Sequence, residues 1–424
     1  MRQRLRWPPR QPHPGRAMAP TERGPQVKGS HVTDGDTTAA FAGLANPAGR
    51  SAESARQAHP GLLTAAQLAP LTRLDDTRSF AALVLNLAIA AAAIALGLVL
   101  WPSPWVLLAG GVVGVQQQGL FVLAHEAVHY RLASHRGWND AIGRVIGMAG
   151  GISMCTYRVI HRLHHRHLFG PQDPDTTIHA GYPRGRAYLA RKLALDLIGW
   201  NAWKTFAYFF GAPAIREAPA AATGPAEEGA RSAKRHQGLL NDTPAELRRA
   251  ARADRWGVVA FQLALPAGAW ALGGATGLAQ YAVLWLLPML TVLQPLLRLR
   301  SICEHGAVNE LGSPLTAARC NLTGRALSGR GVDTVLNWAG RALLFPHHVN
   351  HHLEHHLYPA VPHYHLPRLH RLLAEAGALQ GAEVSDLSGT VSRIFAARRP
   401  RPPAPRVPVH APDTLSNNPL STGA

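Results

Sequence analysis

Two stretches of the chain, residues 79–124 and 256–297, contain no Asp, Glu, Lys or Arg, although the 424 residues include 43 Lys and Arg and 25 Asp and Glu. A membrane-spanning helix needs about 20 apolar residues, so each stretch is too long for one crossing and long enough for two. Soluble domains do not set aside charge-free runs of this length, and a soluble enzyme is excluded. In the first stretch, residues 80–101 are apolar, Pro102-Ser103-Pro104 breaks the helix, and residues 105–124 resume it. In the second, residues 256–272 and 278–297 flank Gly273, Gly274 and Gly277. The pattern predicts an all-α integral membrane protein with four spans in two hairpins.

The basic residues divide as 11 before the first hairpin, 19 between the hairpins and 13 after the second, with none in either turn. By the positive-inside rule both termini and the middle segment face the cytoplasm. The composition, rich in Arg, Ala, Gly and Pro, suggests a bacterial inner membrane. The net charge of +18 is then mostly topology. The arginines are spread over flanks and tails, so anionic lipid headgroups are the expected partner and nucleic acid is not. Cys155, Cys303 and Cys320 form neither an even framework nor a C-x-x-C pair, which points to a reducing compartment. The first 60 residues lack the apolar core of a secretory signal.

Composition divides the chain into a disordered basic tail over 1–75, a membrane domain over 76–380 and a mostly disordered tail over 381–424. A flexible insertion is expected at 212–240, and residues 193–210 read as one helix lying in the membrane interface.

Of 23 histidines, eight fall in three regular clusters on the face assigned to the cytoplasm. His125-Glu-Ala-Val-His129 closes the second span. His161-Arg-Leu-His164-His165 lies in the middle segment, and His352-Leu-Glu-His355-His356 follows the fourth span. Spacings of i, i+3 and i+4 put each set on one helical face, so three short helices of a cytoplasmic cap can aim eight imidazoles into one space. A structural zinc takes four ligands. Eight suffice for two ions with open positions, and imidazole suits several transition metals.

The boxes HEAVH, HRLHHRH with its Asp173-Pro174-Asp175 turn, RLRSICEHG at 298–306 and NHHLEHHLYPAVPHYHLPRLHRLL at 350–373 resemble the integral-membrane fatty acid desaturase family. The resemblance covers roughly residues 80–375. It implies two non-haem irons and a ninth ligand, His305, beside His125, His129, His161, His164, His165, His352, His355 and His356. It further implies dioxygen, an acyl-lipid or acyl-CoA substrate and an electron donor. His352 stands where desaturases carrying their own cytochrome domain have Gln, so a separate ferredoxin- or cytochrome-type donor with its reductase is expected.

Glu126, Asp173, Asp175, Glu304 and Glu354 are candidates to accept the outer N–H of a ligand imidazole, and His351 neighbours the third box as a further orienting residue. His167, His347 and His348 are read as peripheral, and His135, His179, His363, His365 and His370 as surface or structural. Gln116, Gln117 and Gln118, above His125, fit either a substrate channel or interhelical hydrogen bonds. Three rivals remain. A related membrane hydroxylase or ketolase would keep the same site. HEAVH also fits a zinc metalloprotease, which would leave two boxes without work. A metal transporter would place ligands at mid-membrane, where this chain has no His, Asp or Glu.

Overall fold

A computed structural model describes residues 63–170, 173–211, 245–311, 313–324 and 326–397. It is mostly helical, with two three-residue strands. The expected tail over 1–62, the insertion at 212–240 and the C-terminal stretch from 398 lie outside the described residues.

The chain enters at α1 (Ala65–Thr72), whose N-cap Thr64 and Gln67 form a reciprocal capping box. Residues 63–75, assigned above to a disordered tail, are ordered. Leu63 and Leu71 are buried against Leu366, Leu369 and Leu373, some 300 residues later in sequence, a long-range contact that local composition cannot reveal. Helix α2 (Asp76–Val99) is capped by Asp75, and α3 (Val106–Val128) returns antiparallel after the Pro102–Pro104 break. Most of α2 faces outward with exposed Val84, Leu85 and Leu96, whereas α3 is the central, largely buried helix. Gln117 donates to the Trp285 carbonyl at 2.9 Å and Gln118 to the Leu344 carbonyl at 2.7 Å, so these two glutamines tie helices together.

Next come α4 (Arg136–Ala149) and α5 (Met154–His167). The N-cap of α5, Ser153, hydrogen-bonds Asp254 at 2.8 Å, and the same carboxylate accepts the Cys155 amide at 3.0 Å. The single interfacial helix expected over 193–210 is two helices, α6 (Arg186–Leu197) and α7 (Ala202–Phe210). Gly199, with φ +78°, breaks them. A Cβ there would also crowd the Leu290 carbonyl at 3.2 Å. Leu197, Ile198, Trp200 and Trp203 are exposed around this break.

The second apolar stretch lies in a run over Arg249–His305, 57 residues long. As one straight helix it would measure about 86 Å against a hydrocarbon core of about 30 Å. The chain instead folds back: within α8 (Ala245–Tyr281) Gly274 takes φ 56°, ψ −140°, and a Cβ on Gly277 would lie 2.2 Å from the carbonyl oxygen of Ala269. After a π-helical turn at Ala282–Leu286 and the short Leu287–Leu290 segment, α9 (Leu293–His305) completes the return. Three helical stretches are thus long and apolar enough to cross a membrane, Asp76–Val99, Val106–Val128 and the folded-back Arg249–His305. Val106 and Ala109 pack on Leu284 near the hairpin tips, while at the opposite end α3 is capped by His129 and α9 ends in His305.

There β1 (Cys320–Leu322), α10 (Gly331–Leu343), α11 (His352–Leu357), α12 (Leu366–Glu375), β2 (Val384–Asp386) and α13 (Leu387–Ile394) form a cap. Strands β1 and β2 pair in parallel, Cys320 opposite Val384. Order therefore continues to 397, past the expected boundary at 380, because Leu387 and Ile394 are buried in the core beside Ile302 and Phe345.

Candidate metal centre

All nine histidines named from the sequence meet at this end of the bundle, in two groups. His125, His129, His161, His165 and His355 form one, and His164, His305, His352 and His356 the other. Within each group the candidate ligand atoms lie within 4.8 Å of one another. The helical period explains the division. On α5 the i, i+4 pair His161/His165 faces the first group and His164 the second. On α11 the pair His352/His356 faces the second group and His355 the first. The turn ending α3 adds His125 and His129, and the last residue of α9 adds His305.

The ring nitrogens face one another closely. In the first group Nε2 of His161 lies 2.8 Å from Nε2 of His125 and 2.9 Å from that of His165, which is 3.1 Å from Nε2 of His355. In the second, Nε2 of His305 lies 3.2 Å from that of His164 and 2.8 Å from that of His352, which is 3.1 Å from Nε2 of His356. Cis ligands about 2.1 Å from a shared ion sit about 3 Å apart, so these separations are those of coordination edges. Proton sharing cannot satisfy so many converging nitrogens, and Nε2 of His129 is buried without a hydrogen-bond partner. The donor set fits two cations.

Electrostatics keep most of these rings neutral, the form that binds metal. Burial, reinforced by neighbouring imidazoles, holds His129, His161, His165, His352 and His356 well below the ordinary 6.5 and lowers His355 to about 3. His164 is the exception: burial opposes its charge, but Asp173 first and Asp175 next raise it to about 9.

Of the five candidate carboxylates, Asp173 makes the expected contact. Its Oδ1 lies 3.0 Å from Nδ1 of His164, and it also accepts the amides of Phe169 and Asp175. Asp175 stands 3.6 Å from the same ring nitrogen and accepts the Tyr208 hydroxyl. Glu304 lies 3.7 Å from Nδ1 of His352 without a hydrogen bond. Glu126, although next to His125, accepts the His363 amide at 2.9 Å and is 3.9 Å from the His125 ring. Glu354 and His351 turn away from the nine toward Cys320 and His370. For His305 the partner is a carbonyl, Ala317, 3.0 Å from Nδ1. That bond requires a proton on Nδ1 and leaves the Nε2 lone pair facing the cluster.

Sequence reasoning missed Arg319, and it read His179 and His363 as surface or structural without placing them inside the protein. Arg319 is fully buried; it donates to the carbonyls of Cys303, Gly306 and Ala307 at 2.9–3.0 Å and pairs with Glu383 at 3.0 Å, which fixes the chain on both sides of His305. His179 is buried, its ring 4.8 Å from that of His305, and burial lowers it to about 3. His363 is buried beside His347, 5.5 Å between rings. No local spacing marks any of them.

A cavity of about 340 Å³ opens onto the centre. Phe121, Tyr157, Phe209 and Leu297 supply apolar wall; His125, His161, His164, His305 and His352 border it, and Lys204 and Arg300 line it as well.

Helices long and apolar enough to cross a membrane, ending in two buried histidine groups disposed as metal ligands, define a class of helical membrane metalloprotein. Residues 99–388, about two thirds of the chain, match the family described as fatty acid desaturase, and the chain belongs to that family. It is also similar to the dihydrorhizobitoxine desaturase of Bradyrhizobium elkanii, 26% identical over 269 residues that cover 62% of this chain and 65% of that protein.

Proposed function

We propose that this chain is a membrane-bound di-iron oxidoreductase that uses dioxygen and two electrons to desaturate the acyl chain of a lipid. The observation that carries the reading is the division of nine histidines, eight buried and His165 partly so, into groups of five and four beside a cavity with apolar walls. In balance, a –CH2–CH2– unit, O2, two electrons and two protons become –CH=CH– and two waters. Bound iron supplies the activation of dioxygen and the removal of hydrogen from an unactivated carbon.

The protein's own residues hold and orient. His125, His129, His161, His165 and His355 would bind one iron, and His164, His305, His352 and His356 the other. Asp173 and the Ala317 carbonyl hold the outer protons of His164 and His305, so that their Nε2 atoms face inward. Phe121, Tyr157, Phe209 and Leu297 exclude water and align the chain beside His161. Lys204, Arg298 and Arg300 share the lining with Asp175 and Glu304, and Arg300 lies 3.7 Å from Glu304, so the polar part of the cavity carries both signs of charge. An amphipathic substrate other than a fatty acyl chain, desaturated or hydroxylated at the same centre, is the second reading.

The domain reading extends to topology: four crossings, hairpin tips at Pro102–Pro104 and Gly273–Gly277 outside, and both termini and the histidines on the cytoplasmic side of a bacterial inner membrane. Electrons come from a separate ferredoxin- or cytochrome-type donor. The test is expression of the wild type and His161→Ala in an aerated bacterial host with a compatible donor, followed by mass spectrometry of total fatty acids. A new unsaturated species that requires His161 supports the proposal; a hydroxylated one moves the chain to the related hydroxylases. Unchanged fatty acids, with iron bound in the wild type and lost in the variant, turn the reading to the non-fatty substrate.

A further inference from the structure

A second cluster of metal-ligating side chains lies behind the third histidine box and shares no residue with the nine. Cys320 on β1, His351 just before α11, Glu354 on α11 and His370 on α12 bring one sulfur, two ring nitrogens and one carboxylate oxygen within 4.8 Å of one another. Sγ of Cys320 is 3.4 Å from Nδ1 of His351 and 3.7 Å from Nδ1 of His370. Oε2 of Glu354 is 3.8 Å from Nδ1 of His351, and Oε1 of Glu354 meets Nδ1 of His370. Tetrahedral zinc, with bonds of about 2.3 Å to sulfur and about 2.1 Å to nitrogen or oxygen, separates its ligands by about 3.3–3.6 Å.

Two further observations point to a cation. Glu354 is fully buried, yet its Oε2 has no hydrogen-bond partner, a cost that buried carboxylates do not carry without compensation. Cys320 is equally buried, and an antiparallel bridge holds its backbone to that of His351, which orders two of the four donors before any ligand arrives.

We propose that Cys320, His351, Glu354 and His370 bind one zinc ion as a closed structural site. A thiolate and a carboxylate match the two positive charges, and two neutral imidazoles complete the shell. The thiol proton leaves to solvent as the metal enters. The soft sulfur favours zinc over the oxygen-seeking divalent cations, and four protein ligands leave no open position for substrate. The ion would pin α11, which carries His352, His355 and His356, to β1 on one side and α12 on the other.

The test uses the full-length membrane protein, purified after growth with iron and zinc, with metals counted by mass spectrometry and zinc K-edge absorption recorded. The wild type should hold a zinc with one sulfur neighbour near 2.3 Å. Cys320→Ser and His370→Ala should each lower zinc at least tenfold, while Cys155→Ser keeps it. A zinc shell of nitrogen and oxygen alone would mean zinc replacing iron among the nine histidines, and would overturn the site. So would wild type that takes up no zinc on reconstitution with zinc sulfate, which would leave only a Cys–His–Glu hydrogen-bond network. If both variants fail to fold, the wild-type spectrum still decides. Loss of the iron reading would leave this site standing, since no ligand is common to both.

Discussion

Oδ1 of Asp173 lies 3.0 Å from Nδ1 of His164, and this contact decides which nitrogen of His164 faces His305. Losing such a contact costs a metal site about 10- to 100-fold in affinity. Asp173→Asn should therefore lose metal from the four-histidine group first. Iron content after a timed chelator challenge checks it: one ion released early and one retained is expected, and release indistinguishable from wild type would remove Asp173 from the site.

The buried histidines set a pH dependence for the metal-free protein. His179 and His355, each lowered to about 3, and His129, His161, His165, His352 and His356, all lowered, stay neutral in the fold, whereas in the unfolded chain they take protons near 6.5. Their contribution to stability is present above 6.5 and lost as pH falls below it, by up to about 1.4 kcal/mol per pH unit for each ring. His164, raised to about 9, acts oppositely: its contribution is complete below 6.5 and fades as pH rises through 9. The many outweigh the one. Chelator-stripped protein in detergent should melt at lower temperature at pH 5 than at pH 6.5, and a Tm that is level or higher at pH 5 would contradict the assignment.

Arg319 joins three carbonyls around His305 to the carboxylate of Glu383 without reaching solvent. Removing one partner of a buried ion pair costs about 3–5 kcal/mol. Arg319→Ala should lower Tm markedly and reduce iron occupancy, with His305 the ligand displaced. Glu383 keeps a second cation, Arg393 at 3.1 Å, and accepts the Asn309 amide at 2.9 Å, so adding Glu383→Ala to Arg319→Ala should recover little of the loss. A double variant that recovers most of it would show that the ion pair, rather than the carbonyl contacts, carries the effect.

The distribution of basic residues predicts sidedness. Reporter fusions at Pro102 and Gly274 should read as non-cytoplasmic and a fusion after residue 397 as cytoplasmic. A cytoplasmic signal at either hairpin tip would reduce the number of crossings.

What was legible in the sequence was what repeats locally. Charge-free stretches and helical histidine spacing are short-range patterns, and they located the apolar hairpins and eight of the nine clustered imidazoles; His305 came from the family resemblance alone. The division into five and four was less visible, since it depends on how α5 and α11 are rotated against each other. Neighbourhood in sequence misled for Glu126 and Glu354. Adjacent residues on a helix point about 100° apart, so a carboxylate beside a ligand histidine has no reason to face that ligand. Contacts between distant segments left no trace at all: Leu71 on Leu369, Arg319 on Glu383, and Cys320 with His370 come together only through tertiary packing. The break at Gly199 was readable in retrospect, as a glycine within an otherwise apolar helical run.

Each histidine group draws on residues that leave the ribosome far apart in time. The five-membered group starts at His125 and is not complete until His355; the four-membered one starts at His164 and waits for His356. Both hairpins are therefore made before either group can close. A nascent chain stalled anywhere short of residue 355 presents two incomplete sets, so neither group can gather its histidines until the apolar hairpins have been made.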